Sequence, residues 1–248
     1  MRVGIFDSGV GGFSVVKSLL EEKLFEEIIY YGDTARVPYG TKDENTIIRY
    51  SLEAIEFFNN FDIELLITAC NTVSAYALPT MRSKSSYPII GVIEPGVKAL
   101  ENRMLDKSAN ILITATKSTI LSERYQNEIF SLGYSNIKAI QTGLFVPIVE
   151  EGLFDGDVVE SVMDYYFKDL KQPDAIILGC THFPLLSDSI SNYFDKSPIM
   201  IHSGEAIVEY LKDRLEIDNK FQDTNLKIYA SDNVEGLRKV AMEWLYTK

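Results

Sequence analysis

Glu64-Leu65-Leu66-Ile67-Thr68-Ala69-Cys70-Asn71-Thr72 and Ala175-Ile176-Ile177-Leu178-Gly179-Cys180-Thr181-His182 decide how this chain reads. Each is a short apolar run of strand length that ends in a cysteine followed by hydrogen-bonding side chains. A run that is apolar at nearly every position fits a strand buried on both faces, as in a parallel α/β sheet.

Outward from these two runs, strands are predicted near 2–6, 28–31, 64–69 and 88–93, each followed by an amphipathic helical stretch. The series repeats near 110–114, 136–140, 174–179 and 198–201. Strands alternating with helices indicate βα units in a mainly parallel sheet. The repetition has a nearly fixed offset: 110 for Cys70 and Cys180 and for Pro88 and Pro198, 109 for Val37-Pro38 and Val146-Pro147, and 108 for Phe6 and Thr114. We read two similar parallel-sheet α/β domains, Rossmann-like or flavodoxin-like, related by pseudo-twofold symmetry with a site at their interface. A doubly wound single sheet would share part of this regularity. A tail strand (Leu226 to Ala230) and a helix from about Val234 to Tyr246, with Ser231 or Asp232 as N-cap, are expected to pack on the first copy. The expected division is therefore 1–95 with 210–248, and 96–209. No Pro/Gly/Ser linker separates the halves, so a shared interface is expected.

The chain has 248 residues, 46% of them hydrophobic and 24% charged, ordinary usage for a globular protein with a sizeable core. A net charge of −12 without a basic cluster disfavours nucleic acid and anionic membranes as partners. No apolar run is long enough to span a bilayer, and Met1-Arg2-Val3-Gly4-Ile5-Phe6 lacks signal-peptide flanks, so the cytoplasm is the expected location. There the two cysteines are expected as free thiols, which leaves neither a disulfide framework nor a four-cysteine zinc site.

Ligands of open α/β sheets collect at the carboxyl ends of strands, where helix N-termini present free N–H groups. Cys70 and Cys180 both stand there, and both are expected to open helices. A lone buried cysteine reads as a small hydrophobe. Two at repeat-equivalent strand ends beside polar residues read as an acid/base pair, and a helix N-terminus or nearby base is expected to lower each thiol toward the thiolate. Two sulfurs flanking one cleft suit removal of a proton from one face of a carbon and delivery to the other.

Strand one ends in Asp7-Ser8-Gly9-Val10-Gly11-Gly12, where glycines either cradle a carboxylate or simply make a turn. Asp7 is placed to partner Cys70, and Ser8 to donate to a substrate carboxylate. Asp33, after strand two, either binds an ammonium group or caps the next turn. Glu150-Glu151 either orients His182 or starts a solvated helix. His182, two residues after Cys180, either serves that thiol or is structural. Cys180, His182 and a carboxylate would make only a sparse metal set, with no His-x-x-x-His or Cys-x-x-Cys beside them. Gly9-x-Gly11 followed by Asp33 mimics a dinucleotide site, but Ser14 occupies the third glycine position and the Asp7 charge would repel a pyrophosphate. A binding module that clamps an amino acid without chemistry would need no thiols in the cleft.

These blocks, with Tyr31-Gly32-Asp33, Val37-Pro38-Tyr39-Gly40 and Phe145-Val146-Pro147, resemble the glutamate racemase family in order and spacing, from Arg2 to about Tyr210. The resemblance implies an isomerase with two α/β domains around one active site, no pyridoxal phosphate or other cofactor, no metal, and D-glutamate made for peptidoglycan. It implies Cys70 and Cys180 as the acid/base pair, acting on the D and L forms respectively, with Asp7 and His182 as helpers and Glu150 and Asp33 in support. Substrate contacts would fall to Asp7, Ser8, Pro38, Tyr39, Gly40, Asn71, Thr72, Thr116, Thr119, Thr181 and His182. A homodimer is implied, and aspartate racemases of the same superfamily share the cysteine pair. Two positions depart from the family pattern: Ala115 precedes Thr116 where glycine is common, and Val73 replaces alanine, which would alter pocket volume.

Overall fold

In the computed structural model, which describes residues 1–217 and 220–246, every expected strand is present within two residues at either end. The first half runs β1 (Arg2–Asp7), α1 (Phe13–Glu22), β2 (Glu27–Gly32), α2 (Glu44–Phe58), β3 (Leu65–Thr68), α3 (Asn71–Tyr76), α4 (Leu78–Lys84), β4 (Ile89–Gly91). After α5 (Ile93–Arg103), the second half runs β5 (Ile111–Ala115), α6 (Lys117–Leu121), α7 (Arg124–Ser131), β6 (Ile137–Gln141), α8 (Phe145–Glu150), α9 (Asp157–Phe167), β7 (Ala175–Gly179), α10 (Ser187–Tyr193), β8 (Ile199–His202). Helix α11 (Ser203–Leu215), strand β9 (Asn225–Ala230) and helix α12 (Val234–Tyr246) complete the chain.

Two separate parallel sheets result, ordered β4-β3-β1-β2-β9 and β6-β5-β7-β8. Apart from β9, the second order repeats the first strand for strand. So does the register: Phe6 lies beside Thr68 and Tyr31, and Thr114 lies beside Leu178 and Ile140. Only the last pair slips, because Gly91 beside Thr68 answers to His202 beside Leu178, one residue beyond the Pro88/Pro198 spacing. The apolar runs become the interior strands: β3, β5 and β7 are buried at every residue, while the edge strand β6 is half exposed. Strand order reverses between β1 and β3 and between β5 and β7, and such switch points are where open α/β sheets leave a crevice. Both cysteines follow the strands at these points.

The halves share helices. α11 buries Ile207, Val208 and Leu211 in the first core and Ala206 in the second, so the expected break at 210 lies inside it. α5, across the expected break at 95, buries Ile93, Val97 and Leu100 against β5 and β7. The tail packs on the first half, with β9 parallel to β2 and Leu237, Ala241 and Leu245 of α12 in the α1 core. No helix among the described residues is long and apolar enough to cross a membrane.

The α12 cap differs from expectation. Asn233, not Ser231 or Asp232, accepts the Gly236 N–H through Oδ1 at 3.1 Å. Ser231 Oγ instead accepts from the Ala35 N–H at 2.9 Å, and Asp232 Oδ1 from the Asn233 N–H at 2.8 Å. Asn233 also holds φ at +47°, a left-handed conformation that asparagine tolerates better than most residues. Burying Leu237 and Leu245 contributes about 1.5–3 kcal/mol each, so losing the cap should fray the helix rather than undock it. Asn233→Ala is expected to cost about 1–2 kcal/mol in chemical denaturation, and Asn233→Gly less because it keeps the backbone conformation. Equal costs for the two would contradict this reading of the cap.

Candidate active site

The cleft lies where the carboxyl ends of the two sheets meet, and both sulfurs line it. Its free volume is only about 30 Å³, far below the range of small-molecule sites, so the two halves stand nearly closed on one another. Ser8, Pro38, Tyr39, Gly40, Asn71 and Thr72 come from the first half, and Thr116, Thr181 and His182 from the second. Val37, Val146 and Gly179, not expected as contacts, line it too. Asp7, Asp33, Thr119 and Glu150 stand behind this surface. Among the described residues no three His, Cys, Asp or Glu side chains group so that they could hold a metal ion. A wider hollow at the N-terminal ends of β5 and β6, lined by Asn136, Lys138, Asp169 and Lys171, contains neither cysteine nor histidine.

Cys70 follows β3 in extended backbone and stands at the N-cap position of α3 without a side-chain cap hydrogen bond. Its Sγ lies 3.7 Å from Ser8 Oγ, as donor to that hydroxyl. The expected lowering of this thiol is reversed: burial, and secondarily the charge of Asp7, push it up to about 12. A helix of six residues does not offset removal from water. Cys70 is therefore held as the thiol, the proton-donating form. Asp7 is fully buried and its acidity is weakened by that burial, against the pull of the Gly9 N–H and of His182. Its hydrogen bonds run not to Cys70 but to the Gly9 N–H at 3.0 Å and, across the domain boundary, to the Thr181 hydroxyl at 3.4 Å.

Cys180 follows β7 but does not open an α-helix. The chain passes through a 3-10 turn, Phe183–Leu186, with Pro184 in its first residues, before α10 begins. Its neighbour is His182, whose Nδ1 lies 3.8 Å from Sγ and whose Nε2 lies 3.0 Å from Glu150 Oε1. Burial alone would lower this imidazole, but hydrogen bonds with Cys180 and Glu150 and the charges of Cys180 and Asp7 outweigh it and lift it to about 10. His182 is thus an imidazolium at neutral pH, donating to the sulfur and to the carboxylate. Of the two adjacent glutamates, Glu150 is the one that reaches it.

Hydroxyls close the cleft from both sides. Thr72 Oγ1 lies 3.1 Å from Thr116 Oγ1 and 3.0 Å from Thr119 Oγ1, and those two lie 3.1 Å apart. Thr116 lines the cleft with Ala115 before it, and Val73 sits in the α2–α4 core rather than on the cleft wall. Asn71 is fixed by the Tyr125 hydroxyl on Oδ1 at 2.7 Å. The Asp33 carboxylate accepts from the Tyr39 hydroxyl and pairs with Arg36 Nε at 2.7 Å, holding Tyr39 from behind.

The glycine-rich loop makes a close approach to the other half. None of Gly9, Gly11 and Gly12 has positive φ. A Cβ on Gly11 would stand 2.2 Å from Thr181 Oγ1 and 2.6 Å from His182 Nδ1. The Cys-Thr-His segment of one half thus rests directly on the backbone of the other.

Residues 14–211 match the family model described as Asp/Glu/Hydantoin racemase. The glutamate racemase of a Nitratiruptor species is 60% identical over 245 residues, 99% of this chain and 96% of that protein. The crystal structure of glutamate racemase from Campylobacter jejuni subsp. jejuni superposes with a TM-score of 0.98 at 57% identity, covering 100% of both chains. That from Francisella tularensis subsp. tularensis, in complex with D-glutamate, gives 0.87 at 33% identity over 100% of this chain and 94% of that one. The chain belongs to the Asp/Glu/hydantoin racemase family and stands among its glutamate racemases.

Proposed function

We propose that this protein interconverts L- and D-glutamate by a cofactor-independent two-base reaction in which Cys70 and Cys180 are the acid/base pair. The observation that carries the reading is that two cysteines on equivalent strand ends of two like sheets face one cleft. Supporting it are the 60% identity to a glutamate racemase and the likeness to a relative crystallised with D-glutamate.

A carbon held between the sulfurs loses its proton to a thiolate on one face and gains another from a thiol on the opposite face. The reverse exchange restores the first enantiomer. Burial keeps Cys70 as the thiol, while Cys180 faces an imidazolium, so the two sulfurs sit in unlike surroundings. Asp7 and His182 assist the respective thiols, Glu150 holds His182, and Asp33 supports Tyr39. Ser8, Pro38, Tyr39, Gly40, Asn71, Thr72, Thr116 and Thr181 form the binding surface, with Thr119 behind it bonded to Thr72 and Thr116, and its hydroxyl and amide groups suit carboxylates. By family resemblance Cys70 deprotonates the D form and Cys180 the L form, and the protein works as a cytoplasmic homodimer that supplies D-glutamate for peptidoglycan.

Cys70→Ala and Cys180→Ala are each expected to lower racemisation by about 10²–10⁴-fold, followed by loss of optical rotation from either enantiomer. In deuterium oxide the wild type should place solvent deuterium at Cα of the product enantiomer. A variant that racemises near the wild-type rate would overturn the two-base assignment.

The imidazolium gives a pH test. Because its contacts raise His182, its charge is present below about 10 and lost above it, so kcat/KM should fall as pH rises through that region. The substrate ammonium titrates nearby, but removing the Glu150 acceptor changes only the protein. Glu150→Gln should therefore move the alkaline limb to lower pH, and an unmoved limb would contradict the role given to Glu150.

A further inference from the structure

The tail of the chain reaches into the catalytic half it does not belong to. Trp244, on α12, meets His182 with ring centroids 5.8 Å apart and planes at 84°, an edge-to-face pair. It is the chain's one tryptophan, and it packs at once against the α1 core of the first half and the α8–α10 core of the second. The element that carries it repeats nothing: among the described residues the second sheet has no strand beside β6 to match β9 beside β2.

We propose that Trp244 is a positioning residue for proton transfer at Cys180, acting by fixing the tilt of the His182 ring. This rests on the two-base reading above. The imidazole turns about its Cβ–Cγ bond, and such turning carries Nδ1 away from Sγ and Nε2 away from the Glu150 carboxylate. Hydrogen bonds weaken steeply as they lengthen and bend. The sulfur contact, at 3.8 Å, has little to spare. Two flanks bound the ring. Gly11 backs it near Nδ1 and Cε1, where a Cβ would stand 2.6 Å and 2.9 Å away, and Trp244 supplies the aromatic flank. Both come from the first half, so His182 is aligned by the domain opposite its own. Among the described residues the hydrogen-bond partner of Cys70 is Ser8, from its own half.

The test uses the full chain with Trp244→Ala, Trp244→Leu and Trp244→Phe. Leucine keeps apolar volume without a ring and serves if alanine compromises folding. The two enantiomers are equal in free energy, so any loss in kcat/KM must be the same in both directions, and the rate alone does not tell which half was damaged. The substrate Cα-deuterium isotope effect on kcat/KM does. Slowing the Cys180 transfer makes it more rate-limiting, so the effect should rise for the enantiomer that Cys180 deprotonates and fall for the other. We expect a loss of about tenfold in Trp244→Ala and Trp244→Leu with this opposite movement, and recovery in Trp244→Phe. Wild-type rates in Trp244→Leu, or a loss with both isotope effects unmoved or moving together, would overturn the proposal. Failure of the wild type itself to racemise glutamate would instead overturn the functional reading.

Discussion

At Gly11 a hydrogen atom occupies the position where any other residue carries a Cβ, and the meeting of the two domains depends on that space. The Cys-Thr-His segment after β7 lies against the Gly11 backbone closely enough that a methyl group would overlap the Thr181 hydroxyl and the His182 ring. Because the contact is with backbone, it allows Thr181 to reach the buried Asp7 carboxylate from the other half. Protein interiors transmit such overlaps rather than absorb them. Two sheets that each carry one cysteine become a single site through this approach.

The electrostatics of the cleft follow from how deeply it is closed. Removal from water is the largest influence on Asp7, Cys70 and His182, and in each case it disfavours the charged form. Only at His182 do the contacts win, because two partners, Cys180 and Glu150, meet both ring nitrogens. The duplicated fold therefore presents two sulfurs in unlike surroundings, one beside a hydroxyl and one beside a cation. For a reaction whose two directions require opposite proton inventories, that inequality is useful.

Much of the fold was legible because interior parallel strands are written as continuous apolar runs, and β3, β5 and β7 bury every residue. The repeat was legible because the motif offsets reproduce the register between β1, β2 and β3 and their counterparts. What escaped depended on three-dimensional neighbours. Ser231, Asp232 and Asn233 are all good N-caps, and only the backbone path to Ala35 and Gly236 decides among them. The helix N-terminus at Cys70 was visible, but the burial that overrides it was not. The glycines suggested unusual backbone angles, whereas Gly11 is needed to admit Thr181 and His182. Asp33 was readable as a polar strand end, yet its partner Arg36 and their hold on Tyr39 were not. A tryptophan four residues from the end of the chain gave no hint that it would meet His182.

The proposed reaction needs one tetrahedral carbon held between Cys70 and Cys180. A crystal structure with glutamate bound tests it most directly. Both sulfurs are expected at about 3–3.5 Å from Cα, on opposite faces of the carbon, as a near-attack arrangement requires. Glutamate bound with both sulfurs on the same face, or with either one out of reach of Cα, would contradict it.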